Sequence, residues 1–239
     1  MLLEHIRFND RQSLKIEIKS KGDIDQALHK LGLEEKRPVI VISGGAGGIQ
    51  QDQWEVIRKT IAKIAQSAQD NDAIVIDGGT DSGVMAAMGQ IRSDNDYNFP
   101  LIGIAAIGTV KWPGRIMGIK ERFSINRDAG PLDPNHTHFI LTPGKNWGDE
   151  SPWIAEIATQ LAGNQPSVAV LINGGMIARE MDVPYNLEEG RTVFVIEGTG
   201  RAADEFATRP PDTDLMRFIH VSELDRLAEE LQHHLESSE

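Results

Sequence analysis

Four times in this chain a short apolar run breaks into a glycine turn and then into a helical pattern. The fullest example is Ala73-Ile-Val-Ile-Asp-Gly-Gly-Thr-Asp-Ser-Gly-Val-Met85. Ala73 to Ile76 fits a strand buried on both faces, as in a parallel sheet. Gly78 and Gly79 allow a sharp turn and close approach of a ligand. Thr80, Asp81 and Ser82 are N-cap candidates for a helix through Val84, Ala87, Met88 and Ile91. Such a helix start presents N–H groups and a partial positive charge, which suits phosphate. Pro38–Ser43 runs likewise into Gly44-Gly-Ala-Gly-Gly48, Ser167–Ile172 into Asn173-Gly-Gly175, and Thr192–Glu197 into Gly198-Thr-Gly-Arg201. In a parallel sheet these turns share the carboxyl edge, where open α/β folds bind ligands.

The segments between the turns support this architecture. Gln50 to Ala68 carries Trp54, Ile57, Ile61 and Ile64 at helical spacing. Pro100 to Ile107 is a further buried strand, so the order is βαβαβ, with right-handed crossovers. Leu14, Ile16 and Ile18 alternate with Lys15, Glu17 and Lys19, a pattern that suits a charged sheet edge. Asp23 to Leu33 reads as a short helix, and His136 to Leu141 as a strand. Pro152 starts a helix to Gly163. The helix after Gly175 should end near Asp182, because Pro184 disfavours helix at Val183. Phe218 to Val221 is a last strand, and Ser222 caps a helix carrying Leu224, Leu227, Leu231 and Leu235 on one face. Gly108 to Asn135 reads as a long irregular excursion from a strand's carboxyl end. It is placed as a lid over the site, with Lys111, Arg115, Lys120 and Arg122 as candidate phosphate contacts.

Composition narrows the function. The 239 residues suit one domain, 1–239, with a core of about 38–221. Residues 1–37 supply an edge strand and helix, and 222–239 a terminal helix and tail. A formal charge of −12 without a Lys/Arg run argues against nucleic acid as a partner. The absence of cysteine excludes disulfides, thiolate metal sites and a cysteine nucleophile. Met1 to Asp10 lacks the apolar region of a signal peptide, and no apolar run reaches the roughly 18 residues of a membrane span. The expectation is a cytoplasmic protein without membrane insertion.

Several motifs carry candidate chemistry. Gly44-Gly-Ala-Gly-Gly48 does not complete a dinucleotide fingerprint, since Gln50 stands where the last glycine is needed. Nor does Gly-Lys-Ser/Thr follow, as a P-loop requires. A general phosphate-approach turn remains. Arg201 at a helix start can clamp a phosphate or pair with Asp204. His136 and His138, two apart on a strand, would share a face. They would bond a neighbouring loop or contact the ligand, without a third residue to complete a metal site. Glu180, beside Arg179, is a candidate base for cleavage at a sugar carbon, although a solvated helix face is the plainer reading. Asp81 could hold a ribose hydroxyl, or serve only as a helix cap.

Gly78-Gly-Thr-Asp-Ser-Gly-Val-Met85, Leu101-Ile-Gly-Ile-Ala105, Leu132-Asp-Pro-Asn-His-Thr-His-Phe-Ile-Leu141 and Gly198-Thr-Gly-Arg-Ala-Ala-Asp204 occur in this order. Together they resemble the amino-terminal cytoplasmic region of the melastatin-type transient receptor potential channels, a branch of the SLOG superfamily. The resemblance covers about residues 38–221 and suggests a free-standing prokaryotic member. It implies a Rossmann-like α/β fold, a parallel sheet with helices on both faces, that binds a nucleotide-derived small molecule such as ADP-ribose or a cyclic relative. It also implies a sensing role in signalling or defence and leaves room for a homo-oligomer or a separate effector protein; no cofactor or metal is expected. By position, the ligand would meet Gly44, Gly45, Ala46, Gly47, Gly78, Gly79, Thr80, Asp81, Ser82, Gly83, Gly174, Gly175, Gly198, Thr199, Gly200 and Arg201; His136 and His138 join the candidate contacts from their strand spacing alone. The superfamily also contains the Lonely Guy phosphoribohydrolases, so an enzyme acting at the N-glycosidic bond through Glu180 or Asp81 is the alternative. Their Pro-Gly-Gly-x-Gly-Thr-x-x-Glu motif is replaced here by Asn173-Gly-Gly-Met-Ile-Ala-Arg-Glu180, which favours binding over turnover.

Overall fold

In the computed structural model, which describes residues 1–115 and 125–236, the apolar runs assemble into one nine-stranded sheet. The strands are β1 (Leu3–Phe8), β2 (Arg11–Glu17), β3 (Val39–Gly44), β4 (Ile74–Asp77), β5 (Leu101–Ala106), β8 (His138–Thr142), β9 (Ser167–Ile172), β10 (Thr192–Glu197) and β11 (Met216–His220). Their order is β1-β2-β8-β5-β4-β3-β9-β10-β11. All neighbours run parallel except β1, which is antiparallel to β2. From β3 the chain first builds outward through β4 and β5, then returns to lay β9 on β3's other side. The strand order therefore reverses between β3 and β9, where Gly44 pairs with Ile172. A short parallel pair, β6 (Val110–Lys111) and β7 (Gly130–Pro131), lies apart from the main sheet.

Helices cover both faces. On one face α1 (Ile24–Leu31), α4 (Ser151–Ala162), α5 (Val183–Glu188) and α6 (Arg201–Thr208) bury Ile24, Leu28, Ile157, Leu161, Val183 and Ala202. On the other, α2 (Trp54–Asp70), α3 (Gly83–Asp94) and α7 (Leu224–Leu235) bury Ile57, Ile61, Met88, Leu227 and Leu231. Apolar stripes on the helices against strands apolar on both sides produce this layering. Among the described residues no helix is long and apolar enough to cross a membrane.

The structure corrects four sequence expectations. β2 is not an edge, because β1 lies outside it and buries Ile6 and Phe8. Lys15 is consequently buried, its ammonium between Glu4 (2.9 Å) and Glu17 (2.7 Å) and over the ring of Trp112. The final helix is capped at Glu223 rather than Ser222, whose hydroxyl meets His220 Nδ1 at 2.7 Å. Pro184 does not end its helix. A π-helical turn over Ala178–Asp182, closed by Val183 N–H on the Ala178 carbonyl, leads directly into α5. The wide turn absorbs the proline, which would clash with the preceding turn of a regular helix. Fourth, His136 and His138 do not lie together on one strand. Of the supposed lid over 108–135, residues 116–124, including Lys120 and Arg122, lie outside the described residues.

Candidate functional site

Above the β3/β9 reversal lies a cavity of about 680 Å³. The first two turns frame it by docking backbone on backbone. Gly83 begins α3 at φ +55°, and a Cβ there would fall 1.9 Å from the Gly45 carbonyl oxygen. That same oxygen accepts the N–H of Val84 at 3.1 Å. Only glycine permits this approach, so the helix start and the β3 turn are fixed to each other. The N–H groups of Ala46 and Gly47 make no hydrogen bond among the described residues, leaving donors at the cavity's rim.

The third and fourth turns are clasped by side chains. Asn173 N–H donates to Thr199 Oγ1 at 2.8 Å, and Asn173 Nδ2 donates to the Thr199 carbonyl at 2.7 Å. Both residues are buried, so Thr199 builds the wall rather than facing a ligand. Arg201 follows at φ +51°, a strained setting for a residue with a Cβ. Its Nη1 donates to the Gly47 carbonyl at 2.6 Å, and Nη2 passes so close to Gly175 that a Cβ there would sit 2.6 Å away. The guanidinium thus spans the β3 and β9 turns.

Of the residues expected from sequence, Gly44, Gly45, Ala46, Gly47, Gly78, Thr80, Ser82, Gly175 and Arg201 line this one cavity. Gly79 packs on Gly103, Gly174 on Leu171 and Ala178, Gly198 on Val221, and Gly200 on Gln53. Asp81 is exposed, with its N–H on the Pro131 carbonyl at 2.9 Å. Partial desolvation of its carboxyl and the charge of Asp133 nonetheless raise it above the usual range. Glu180 is also exposed, paired with Arg179 at 2.7 Å, and Arg179 pairs with Glu205. Neither Asp81 nor Glu180 lines the cavity.

The two histidines do not share a face, because β8 begins only at His138. His136 lies in the preceding turn and is buried between Asp77 Oδ1 (2.8 Å) and Asp133 Oδ2 (2.7 Å). Burial alone would lower its pKa, but the two carboxylates and their hydrogen bonds hold it up at about 9. It therefore donates from both ring nitrogens. Asp77 Oδ1 also accepts the Gly79 N–H at 2.7 Å, so this triad is the footing of the second turn. His138, at the opposite end of its strand from the glycine turns, is pushed down to about 4 by burial.

Sequence reasoning missed the cavity's other wall. Trp147, Glu150, Ile154, Met176, Ile177 and Asp182 line it. Glu150 is buried at the cap position of α4. Its Oε1 accepts the Gly148 N–H at 3.1 Å, while Oε2 has no hydrogen-bond partner among the described residues. Burial, assisted by the charges of Asp182 and Asp149, pushes this carboxyl up to about 7. Asp182 accepts from the Ser151 hydroxyl and is likewise raised by burial. No motif marks these residues, since Glu150 sits in a polar loop and Asp182 is reached only through the π turn.

Fold and cavity together define a Rossmann-like α/β domain with a pocket at its topological switch point. A family model described as "SLOG in TRPM, prokaryote" matches residues 37–235, and the chain belongs to that family. It is 27% identical over 208 residues to transient receptor potential cation channel subfamily M member 2 of Rattus norvegicus, a match covering 74% of this chain and 13% of the channel. It is 29% identical over 210 residues to the subfamily M member-like 2 protein of Nematostella vectensis, with the same 74% and 13% coverage. The chain thus spans about an eighth of these relatives' length. Among solved structures, the X-ray structure of the structural-genomics target TM1055 matches with a TM-score of 0.54 at 16% identity, covering 81% of this chain and 99% of that one. That likeness concerns the fold.

Proposed function

We propose that this protein binds a nucleotide-derived ligand, ADP-ribose or a related or cyclic nucleotide, and acts as a ligand sensor in signalling or defence. The observation that carries this reading is the convergence of the β3 turn, the β4 turn, Gly175 and Arg201 on one cavity at the β3/β9 reversal. Backbone N–H groups and one arginine suit a phosphate or pyrophosphate. The apolar wall of Trp147, Ile154, Met176 and Ile177 suits a flat base. Cleavage through Glu180 or Asp81 finds no support in their position, since both stand outside the cavity.

Calorimetric titration with ADP-ribose, AMP and NAD tests the proposal, with chromatography of the ligand afterwards. Saturable binding that weakens in Arg201→Ala and returns the ligand intact is expected. Release of free base or ribose phosphate would replace sensing with hydrolysis. No binding of any of the three would overturn the ligand class.

A further inference from the structure

Glu150 shares the cavity with Arg201, but a carboxyl has no positive charge to offer a phosphate. Among the described residues it makes no ion pair, and one of its carboxyl oxygens has no partner. An unpartnered buried carboxyl oxygen is costly and calls for a reason. Its surroundings are apolar on one side, with Ile154, Ile177 and Trp147 lining the same wall. The charges that act on it are carboxylates, Asp182 and Asp149. Asp182 is already engaged by the Ser151 hydroxyl. Asp128 and Arg201 are the other charged groups lining the cavity.

We propose that Glu150 reads the edge of the ligand's base as an undissociated carboxyl, donating through one oxygen and accepting through the other, and so selects a base that sets a ring acceptor beside an amino group, as adenine does. The inference rests on the nucleotide reading above. Oε1 accepts one N–H from Gly148 and keeps a second lone pair for the amino group. Oε2 carries the proton and donates it in a hydrogen bond to the ring nitrogen. The terminal torsion of a glutamate is soft, so the carboxyl can turn as a unit to present Oε2 to the cavity, with Oε1 lengthening its bond to Gly148. An ionised carboxylate would oppose the ring nitrogen's lone pair with its own. The neutral carboxyl is therefore the state that binds, and burial, which raises the group to about 7, makes that state the major one below that pH. Glutamine holds a donor and an acceptor in the same places at every pH, whereas alanine holds neither.

The test compares the full chain with Glu150→Gln and Glu150→Ala by calorimetry. ADP-ribose is the ligand, because its pyrophosphate does not titrate between about pH 6 and pH 8.5. Its 1,N6-etheno derivative, in which both edge atoms are blocked, is the control. Melting curves establish that both variants fold. The expected result has three parts. The wild type binds ADP-ribose roughly tenfold more weakly at the higher pH, Glu150→Gln binds it equally at both, and Glu150→Ala binds about tenfold more weakly than the wild type at the lower pH. The etheno derivative binds all three proteins with similar, reduced affinity. Loss of affinity for both ligands in Glu150→Ala would mean contact with a ribose hydroxyl and overturn base reading. Unchanged affinity in Glu150→Ala would overturn any contact. If the wild type binds no ADP-ribose, the nucleotide reading itself fails and this inference falls with it.

Discussion

Arg201 Nη1 donates to the carbonyl oxygen of Gly47 at 2.6 Å, bridging turns that stand 154 residues apart in the chain. The hydrogen bond holds the guanidinium over the cavity before any ligand arrives, so less side-chain freedom is lost on binding. Arg201→Ala should weaken ADP-ribose binding about tenfold to a hundredfold by calorimetry, the scale of a lost charge-assisted hydrogen bond. Because Arg201 sits at φ +51°, Arg201→Gly should lose the same affinity yet be more stable to unfolding than Arg201→Ala, by about 1 kcal/mol. Equal stability of the two variants would show that the backbone there relaxes.

Gly83 is the tightest contact between the β3 and β4 turns. A methyl group there would meet the Gly45 carbonyl at 1.9 Å, and φ is +55°. Gly83→Ala should cost roughly 2–3 kcal/mol in urea unfolding, from strain and lost packing together. It should also reduce ligand affinity, because separating the turns moves the Ala46 and Gly47 donors. A variant with unchanged stability would refute this docking.

The Asp77–His136–Asp133 triad predicts a stability that depends on pH. The folded His136 titrates near 9 against 6.5 for a free histidine. Its contribution is therefore complete below about pH 6.5 and lost as pH rises through about 9. His136→Ala leaves two buried carboxylates unpaired and should cost about 3–5 kcal/mol at pH 6. Thermal melts of both proteins across this range should show the difference shrinking as the pH increases.

Glu150 predicts a second loss of stability with rising pH, in a lower range. Its folded pKa of about 7 lies above the ordinary 4.5, so the folded chain holds a proton that the unfolded chain releases. Stability attributable to it falls as pH rises from about 4.5 through 7. Glu150→Gln should raise the melting temperature at pH 8 and leave it nearly unchanged at pH 4. A rise of similar size at both values would indicate packing rather than charge.

Glu180 offers a negative control. It is exposed, and among the described residues it pairs only with Arg179. Glu180→Ala should change stability by no more than about 0.5 kcal/mol and leave ADP-ribose binding intact. A lost affinity would place the ligand over the outer face of this helix.

The strands and the glycine turns were readable in the sequence because burial on both faces and tight turns each impose a residue type. Val39–Ile42 and Ile74–Ile76 could hardly be anything but interior strands. β1 escaped notice because Glu4, His5 and Arg7 interrupt it and only Ile6 and Phe8 are buried. Lys15 then looked like a solvated charge, although it is buried beneath that strand. The histidines illustrate a different limit. Alternation put His136 and His138 on one face, but a strand's first residue is set by its hydrogen-bonded neighbours, Leu14 and Ile102, and not by its own pattern. The four turns made the glycine-rich side of the cavity legible in the sequence. The other wall is assembled from unrelated segments, Trp147 to Ile154 and Met176 to Asp182, which carry no shared spacing.

The π turn over Ala178–Asp182 amounts to one surplus residue wound into an otherwise regular helix. Each residue of an α-helix turns the chain on the order of 100° about its axis. Everything past the wide turn is thus rephased relative to Met176 and Ile177. Deleting one residue within it would restore ordinary winding, bring Pro184 against the preceding turn and swing Asp182 away from Glu150. A single peptide unit of extra length therefore decides which acid the pocket meets, Asp182 rather than the solvated Glu180.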